Sequence, residues 1–276
     1  VGSEMCIRDS ADLNDVNMID PFHLEAYGET TINYNRDVEV FPVLQAMFEK
    51  IMGECPYKSP TDMGVNMAGN CIVDDEVCKE AARQEIIRRY YNTLCQIRQG
   101  TADNEQKLKL ELLMKQAGTS TEDRPVVSAA KIKAETTGDP AAAIQLADGR
   151  IITGKTSELL GATSAMLLNA LKSLAGIADD VQLISPTIIE PIQNLKTGHL
   201  HSKNPRLHTD EVLIALSICA ATDETAKEAI DQLQNLAGTE FHSSVILSQV
   251  DMNVLRKLGI NVTCEPNYES QKLYHR

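Results

Sequence analysis

Residues 149–156 read GRIITGKT and satisfy the phosphate-loop pattern G-x-x-x-x-G-K-[ST] at every fixed position. The residues between the two glycines decide the fold. A phosphate loop wraps backbone N–H groups round phosphate oxygens and is built there from small or turn-forming residues. Ile151, Ile152 and Thr153 are β-branched and favour a strand, and Asp148-Gly149 just ahead of them is a hairpin-turn dipeptide. The stretch is therefore expected to be strand, two-residue Asp-Gly turn, strand, then a helix opening at Ser157 as its N-cap. Leu160, Thr163, Leu167, Ala170 and Leu174 would form that helix's core face. A helix start beside a lysine still suits an anion, so Lys155, Thr156 and Ser157 are candidate ligand-binding residues.

Downstream of Pro140, short β-rich runs at 143–146, 150–153, 181–184, 244–247 and 261–263 alternate with helical stretches, which predicts an α/β subdomain over 138–276. Its last residues, 265–276, read as an extended tail. Upstream, 41–137 reads as a helical subdomain. One helix runs from about Pro42 to Gly53, with Leu44, Met47, Phe48 and Ile51 at helical spacing. A second runs from Asp74 or Asp75 to Gln99, and two shorter ones cover 104–117 and 122–136. The loop 54–73 carries KSPTDMGVNMAGN, where Asp62 and Asn66 are candidate ligand-binding groups among flexible glycines. Arg83, Arg88 and Arg89 on the next helix either add positive charge beside that loop or pair with Glu76, Glu80 and Glu85. Residues 11–40 read as the tail of an upstream domain. Residues 1–10, VGSEMCIRDS, lack an initiator methionine and any periodicity and are read as a non-native tract.

Composition narrows the class. Among 276 residues, 39 acidic against 26 basic side chains leave a net charge of −13, which disfavours nucleic-acid and anionic-membrane partners. No apolar run approaches the roughly 18 residues of a membrane span, and no basic-then-apolar signal segment is seen, so a cytoplasmic protein is expected. The seven cysteines, none spaced as C-x-x-C, argue for free thiols. With seven tyrosines, four phenylalanines and no tryptophan, the cores must rest on aliphatic side chains.

A second cluster, GHLHSKNPRLHTDE over 198–211, gathers three histidines before the apolar run VLIALSICAA, which predicts a buried helix starting near Thr209. Its positive end, with Arg206 and Asp210 as ligand-binding candidates, suits phosphate or carboxylate, and His208 is the candidate general acid or base. A metal reading would use His199 and His201 as an H-x-H pair with His208 and Asp210, but no H-E-x-x-H accompanies them. His23 and His242 stand apart and read as structural.

Several long segments resemble one bacterial family. KSPTDMGVNMAGNCIVDDE, QEIIRRYY, KNPRLHTDEVLIALS, VILSQVD and the closing KLYH are similar to the family called domain of unknown function 1846, or uncharacterised protein family 0371, along residues 11–275. The resemblance implies a protein about twice as long, of which this chain is a carboxy-terminal fragment. The other half would carry a glycine-rich, phosphate-loop-like segment. It also implies a helical subdomain followed by an α/β subdomain of cytidine-deaminase-like topology, three-layered with a mixed sheet. The deaminase chemistry needs H-x-E and P-C-x-x-C, whereas this chain reads GKTSE and has a solitary Cys264. No protease motif supports the ATP-dependent peptidase label carried by some members. A metal-free relative of that topology, the folate-dependent formyltransferase of purine synthesis, uses a Lys-His pair, for which Lys203 and His208 are the nearest analogue, at a different spacing.

The expected function is that of an enzyme fragment binding a phosphorylated small molecule or nucleotide between its subdomains, with no cofactor indicated by the sequence. The alternative is a non-catalytic assembly module whose helical part forms a homo-oligomer.

Overall fold

Asp148 and Gly149 turn the chain as a hairpin. Strand β1 (Ala141–Gln145) and β2 (Ile151–Lys155) pair antiparallel in this computed structural model, which describes residues 34–57 and 75–269. The loop is one residue longer than the two-residue turn expected: Gly149 N–H donates to Leu146 O at 2.9 Å and Leu146 N–H to Arg150 O at 2.9 Å. Gly149, at φ +85°, takes the left-handed third position of this three-residue loop.

Two compact units divide the described residues. The first comprises 34–57, 75–93 and 100–124, the second 94–99 and 125–269. In the first, α1 (Tyr34–Met52) begins well before Pro42, and α2 (Asp75–Gln99) ends where Gly100 adopts φ +77°. Helix α3 (Asn104–Ala117) is capped by Asp103, whose carboxylate accepts from Glu105 and Gln106 N–H, and it stops at left-handed Gly118. Of the expected α1 face, Met47 and Ile51 are exposed. Arg88 and Arg89 both pair with buried Glu85, at 3.2 and 2.8 Å, while Arg83 lies 3.6 Å from Glu80.

The second unit is built on a four-stranded mixed sheet of order β2-β1-β3-β4, with β3 (Glu240–Ser243) antiparallel to β1 and parallel to β4 (Asn261–Cys264). Alternation along β1 directs Ala142 and Ile144 into the main core and Ala143 toward α4 (Pro125–Thr137), where it meets Val126 and Ala130. The helix expected over 122–136 thus starts at Pro125, a favoured first helical residue, and its apolar residues pack on the sheet. Helix α5 (Ala162–Ala175) lies on the opposite face. Its approach is close: a Cβ on Gly154 would sit 2.1 Å from Met166 N and 2.5 Å from Met166 Cα. The second glycine of GRIITGKT is therefore a packing glycine between strand and helix.

The rest of this core comes from α6 (Pro186–Asn194), α7 (Thr209–Ala220), α8 (Glu224–Ile230) and α9 (Gln249–Lys257). Helix α7 is less buried than its sequence suggests. Val212, Ala215 and Leu216 face the core, but Ile214 and Ile218 are 59% and 55% exposed. Two expected strands are absent. At 181–184, Leu183 and Ile184 enter the core from a loop because Ser185 and Pro186 start α6 directly after them. At 244–247, strand pairing has already ended: Ser244 N–H meets Ala141 O at 2.9 Å, but Ala141 N–H donates to the Ser244 hydroxyl at 2.9 Å, where a continuing ladder would use the Ser244 carbonyl. After β4 the chain folds back, with Ile246 N–H donating to Asn267 O at 2.7 Å, so 265–269 is packed rather than a free tail.

The tract 1–10, residues 11–33 with His23, the loop candidates Asp62 and Asn66, and the terminal 270–276 lie outside the described residues.

Candidate functional site

Both β2 and β3 run antiparallel to β1, and β4 runs parallel to β3, so β2, β3 and β4 end on the same edge of the sheet. A small cavity of about 40 Å³ opens there, bordered by Thr156 after β2, residues 245–248 after β3 and Glu269 beyond β4. Carboxyl ends of strands are where open α/β sheets place their ligands.

Two helix starts are tied together at this edge. Leu160 and Leu207 form a parallel bridge, with Leu207 N–H donating to Leu159 O at 3.0 Å and Gly161 N–H to Leu207 O at 3.4 Å. Ser164 Oγ adds a bond to Leu207 O at 3.0 Å. The bridge explains why the helix after β2 opens at Ala162, not at Ser157. Ser157 Oγ accepts from Leu159 and Leu160 N–H, at 3.3 and 3.1 Å, and so closes a turn that leads into the bridge.

His208 occupies the N-cap position of α7 and its ring lines the cavity. Its Nδ1 lies 3.1 Å from Asp251 Oδ2. Asp251 is almost fully buried, and its other oxygen accepts from both Thr209 N–H and Thr209 Oγ1 at 2.9 Å. Ser248 Oγ donates to Oδ2 at 2.7 Å and accepts from Asp251 N–H at 3.1 Å. Burial alone would raise the Asp251 pKa, but the bonds from His208, Thr209 and Ser248 outweigh it and hold the carboxyl below its usual range. The Asp251 hydrogen bond in turn raises the His208 pKa against the opposing effect of burial. With Asp251 ionised, His208 Nδ1 carries a proton. The other ring nitrogen, which has no bond among the described residues, is the one that titrates.

Arg206 is fixed by three contacts: Nε donates to Ser157 O at 2.9 Å, Nη1 meets Glu269 Oε1 at 2.6 Å, and its N–H donates to Asn204 Oδ1 at 3.1 Å. Below it, buried Lys196 Nζ lies 2.6 Å from both Arg206 O and Glu211 Oε2, and that same Glu211 oxygen accepts from His208 N–H at 2.8 Å. The cavity thus holds Arg206 and His208 opposite two carboxylates, Asp251 and Glu269, each already engaged.

Of the expected site residues, Thr156, Arg206 and His208 line the cavity together. Ser157 contributes its carbonyl to Arg206. Lys155 is exposed and pairs with Asp139 at 2.9 Å, away from the lining. Lys203 is exposed and also outside the lining, and Asp210 accepts from Glu211 N–H in the first turn of α7. His199 and His201 are exposed, and among the described residues no three His, Cys, Asp or Glu side chains gather at metal-binding range. His242 is buried on β3, its Nδ1 2.9 Å from Thr263 Oγ1. Cys95, whose Sγ meets Cys264 O at 3.4 Å, has its pKa pushed up to about 11 by burial and the nearby Glu265 charge.

Sequence reasoning missed Asp251 and Glu269, and it placed Thr163 on a helix's core face without foreseeing its place at the cavity. Ser248-x-x-Asp251 is legible as a helix start, but nothing local signals that the carboxylate reaches back to another helix.

Residues 8–118 match the model of the N-terminal domain of unknown function DUF1846, and residues 122–274 match the model of its C-terminal domain. The chain is 58% identical over 267 residues to a UPF0371 protein of Corynebacterium urealyticum and 57% identical to one of Streptococcus thermophilus. A UPF0371 protein of Streptococcus pneumoniae is 55% identical. Each match covers 97% of this chain and 54% of the relative, so the chain spans about half the length of the curated relatives it matches. With matches to both domain models and this level of identity, the chain belongs to the DUF1846 (UPF0371) family.

Proposed function

We propose that the cavity at the carboxyl ends of β2, β3 and β4 binds a phosphorylated small molecule, and that His208 serves there as a general acid or base oriented by Asp251. The observation that carries this reading is the His208–Asp251 contact at 3.1 Å, in a cavity also lined by Arg206. A buried carboxylate holding one imidazole nitrogen leaves the other free to exchange a proton near neutral pH. Arg206 supplies an anion-compatible fork beside it. The cytidine-deaminase-like topology belongs to this reading too, supported by a hairpin strand set antiparallel to a parallel strand–helix–strand pair. The test is thermal unfolding of the chain against a panel of phosphorylated metabolites and their unphosphorylated counterparts. Phosphorylated compounds should raise Tm, and Arg206→Ala should remove the effect. Equal shifts in both proteins would overturn it.

A second reading, a homo-oligomeric assembly module, draws on one observation in the first unit. Val43, Met47 and Ile51 on α1 and Leu108 and Leu112 on α3 are each more than 50% exposed. Such surface is costly in water unless covered. Sedimentation velocity decides it, because a clean monomer would sink the idea.

No described helix is long and apolar enough to cross a membrane. A cytoplasmic location is part of the proposal.

A further inference from the structure

Helix α5 begins without a cap. Gly161 is its N-cap residue, no side chain bonds its first turn, and the first N–H bonded within the helix is that of Ala165, to Gly161 O at 3.0 Å. The N–H groups of Ala162, Thr163 and Ser164 therefore lie ahead of the helical bonding pattern, and all three residues border the cavity. Nothing about the backbone requires a glycine here. Gly161 has φ −68° and ψ 159°, and a Cβ on it would meet nothing nearer than Leu207 O at 3.9 Å. A Ser or Asp would fit and would stabilise the helix.

A second observation points the same way. Thr156 and Thr163 are each only 4% exposed, both line the cavity, and neither hydroxyl has a hydrogen-bond partner among the described residues. Neither oxygen is among the fully enclosed side-chain atoms that lack a partner, so each keeps some contact with solvent, at the cavity these two residues line. The neighbouring start of α7 is satisfied differently: Asp251 takes Thr209 N–H and Glu211 takes His208 N–H. One of the two helix starts is thus closed by carboxylates, while the other is open and flanked by unused donors.

We propose that the open start of α5 is the seat of the ligand's phosphate, whose oxygens accept from the N–H groups of Ala162, Thr163 and Ser164 and from the hydroxyls of Thr156 and Thr163. This deepens the phosphorylated-ligand reading and rests on it. Five donors lining one cavity suit the three terminal oxygens of a phosphate monoester better than the two of a carboxylate, and the positive end of a helix favours the charge. Arg206 and His208 stand beside the seat. Lys155, the motif lysine, takes no part because it pairs with Asp139 outside the lining.

The test is an NMR titration of the whole isotope-labelled chain with inorganic phosphate, and with acetate in parallel. Phosphate should shift the amides of Ala162, Thr163 and Ser164, acetate should do so more weakly, and Thr156→Val with Thr163→Val should weaken phosphate binding by about tenfold or more. Gly161→Asp should raise Tm and abolish the shifts. If phosphate moves the Arg206 and His208 resonances but leaves the three amides still, or if the double variant binds like the wild type, the seat is wrong and the broader reading stands. If phosphate moves no resonance around the cavity, both fall.

Discussion

Asp251 serves His208 and Thr209 at once, one oxygen on the imidazole at 3.1 Å and the other on the Thr209 backbone at 2.9 Å. The same carboxylate therefore orients the candidate acid–base group and caps the helix that carries it. Asp251→Asn should lower the His208 pKa toward its ordinary value and cost about 2 kcal/mol of stability. A histidine titration by NMR and a urea melt would read the two effects separately. An unchanged His208 pKa would break the link.

The pair also predicts a pH window. His208 has a raised pKa in the folded state, so its contribution is full below its unfolded value of about 6.5 and is lost as pH rises through the raised one. Asp251 has a depressed pKa, so its contribution is present above about 3.9 and is lost as pH falls through the lowered one. Wild-type stability should therefore exceed that of His208→Gln most clearly between about pH 4 and 6.5, with the gap narrowing on either side.

Glu265 extends the acid side of the profile. Burial pushes its pKa up, but His242 at 3.3 Å and Lys131 at 2.8 Å prevail and bring it to about 2. Its stabilising effect is present above the ordinary value of 4.5 and disappears as pH falls toward about 2. Between those limits, Glu265→Gln should lose less stability on acidification than the wild type does, as denaturant midpoints measured across the range would show.

Gly154 and Lys155 of the GKT sequence should differ sharply in how much mutation costs. Gly154→Ala would drive a methyl into the backbone of Met166 and should cost about 3 kcal/mol. Lys155→Ala removes only an exposed pair with Asp139 and should cost less than about 1 kcal/mol. Thermal unfolding distinguishes them, and a tolerant Gly154 would contradict the close strand–helix packing.

On α7, burial divides neighbouring residues. Leu216→Ala should destabilise by about 2–5 kcal/mol, while Ile218→Ser, at a position 55% exposed, should stay within about 0.5 kcal/mol. Chemical denaturation of both variants measures the difference.

Legibility in the sequence followed the range of the forces involved. The hairpin and the ends of α2 at Gln99 and of α3 at Ala117 depend on residues a few positions apart, and local pattern located them. The strands expected at 181–184 and 244–247 failed because an apolar run reports burial but not pairing, and at 244 pairing stops where the Ser244 hydroxyl takes the N–H of distant Ala141. Helix α7 looked buried because its sequence is apolar all round, yet Ile214 and Ile218 have no neighbour among the described residues to cover them. At the cavity, Arg206 and His208 stood out as charges before an apolar run. Thr163, Asp251 and Glu269 are ordinary helix and tail residues whose meaning comes only from being brought together.

The Leu160–Leu207 bridge has a consequence for how this family can diversify. Because main-chain bonds hold the two helix starts at a set distance, replacing the side chains at 156 or 163 changes the cavity's chemistry without breaking the bonds that frame it. Cavity chemistry and framework can then drift independently, and a descendant could carry a differently lined cavity while its backbone stayed superimposable on this one.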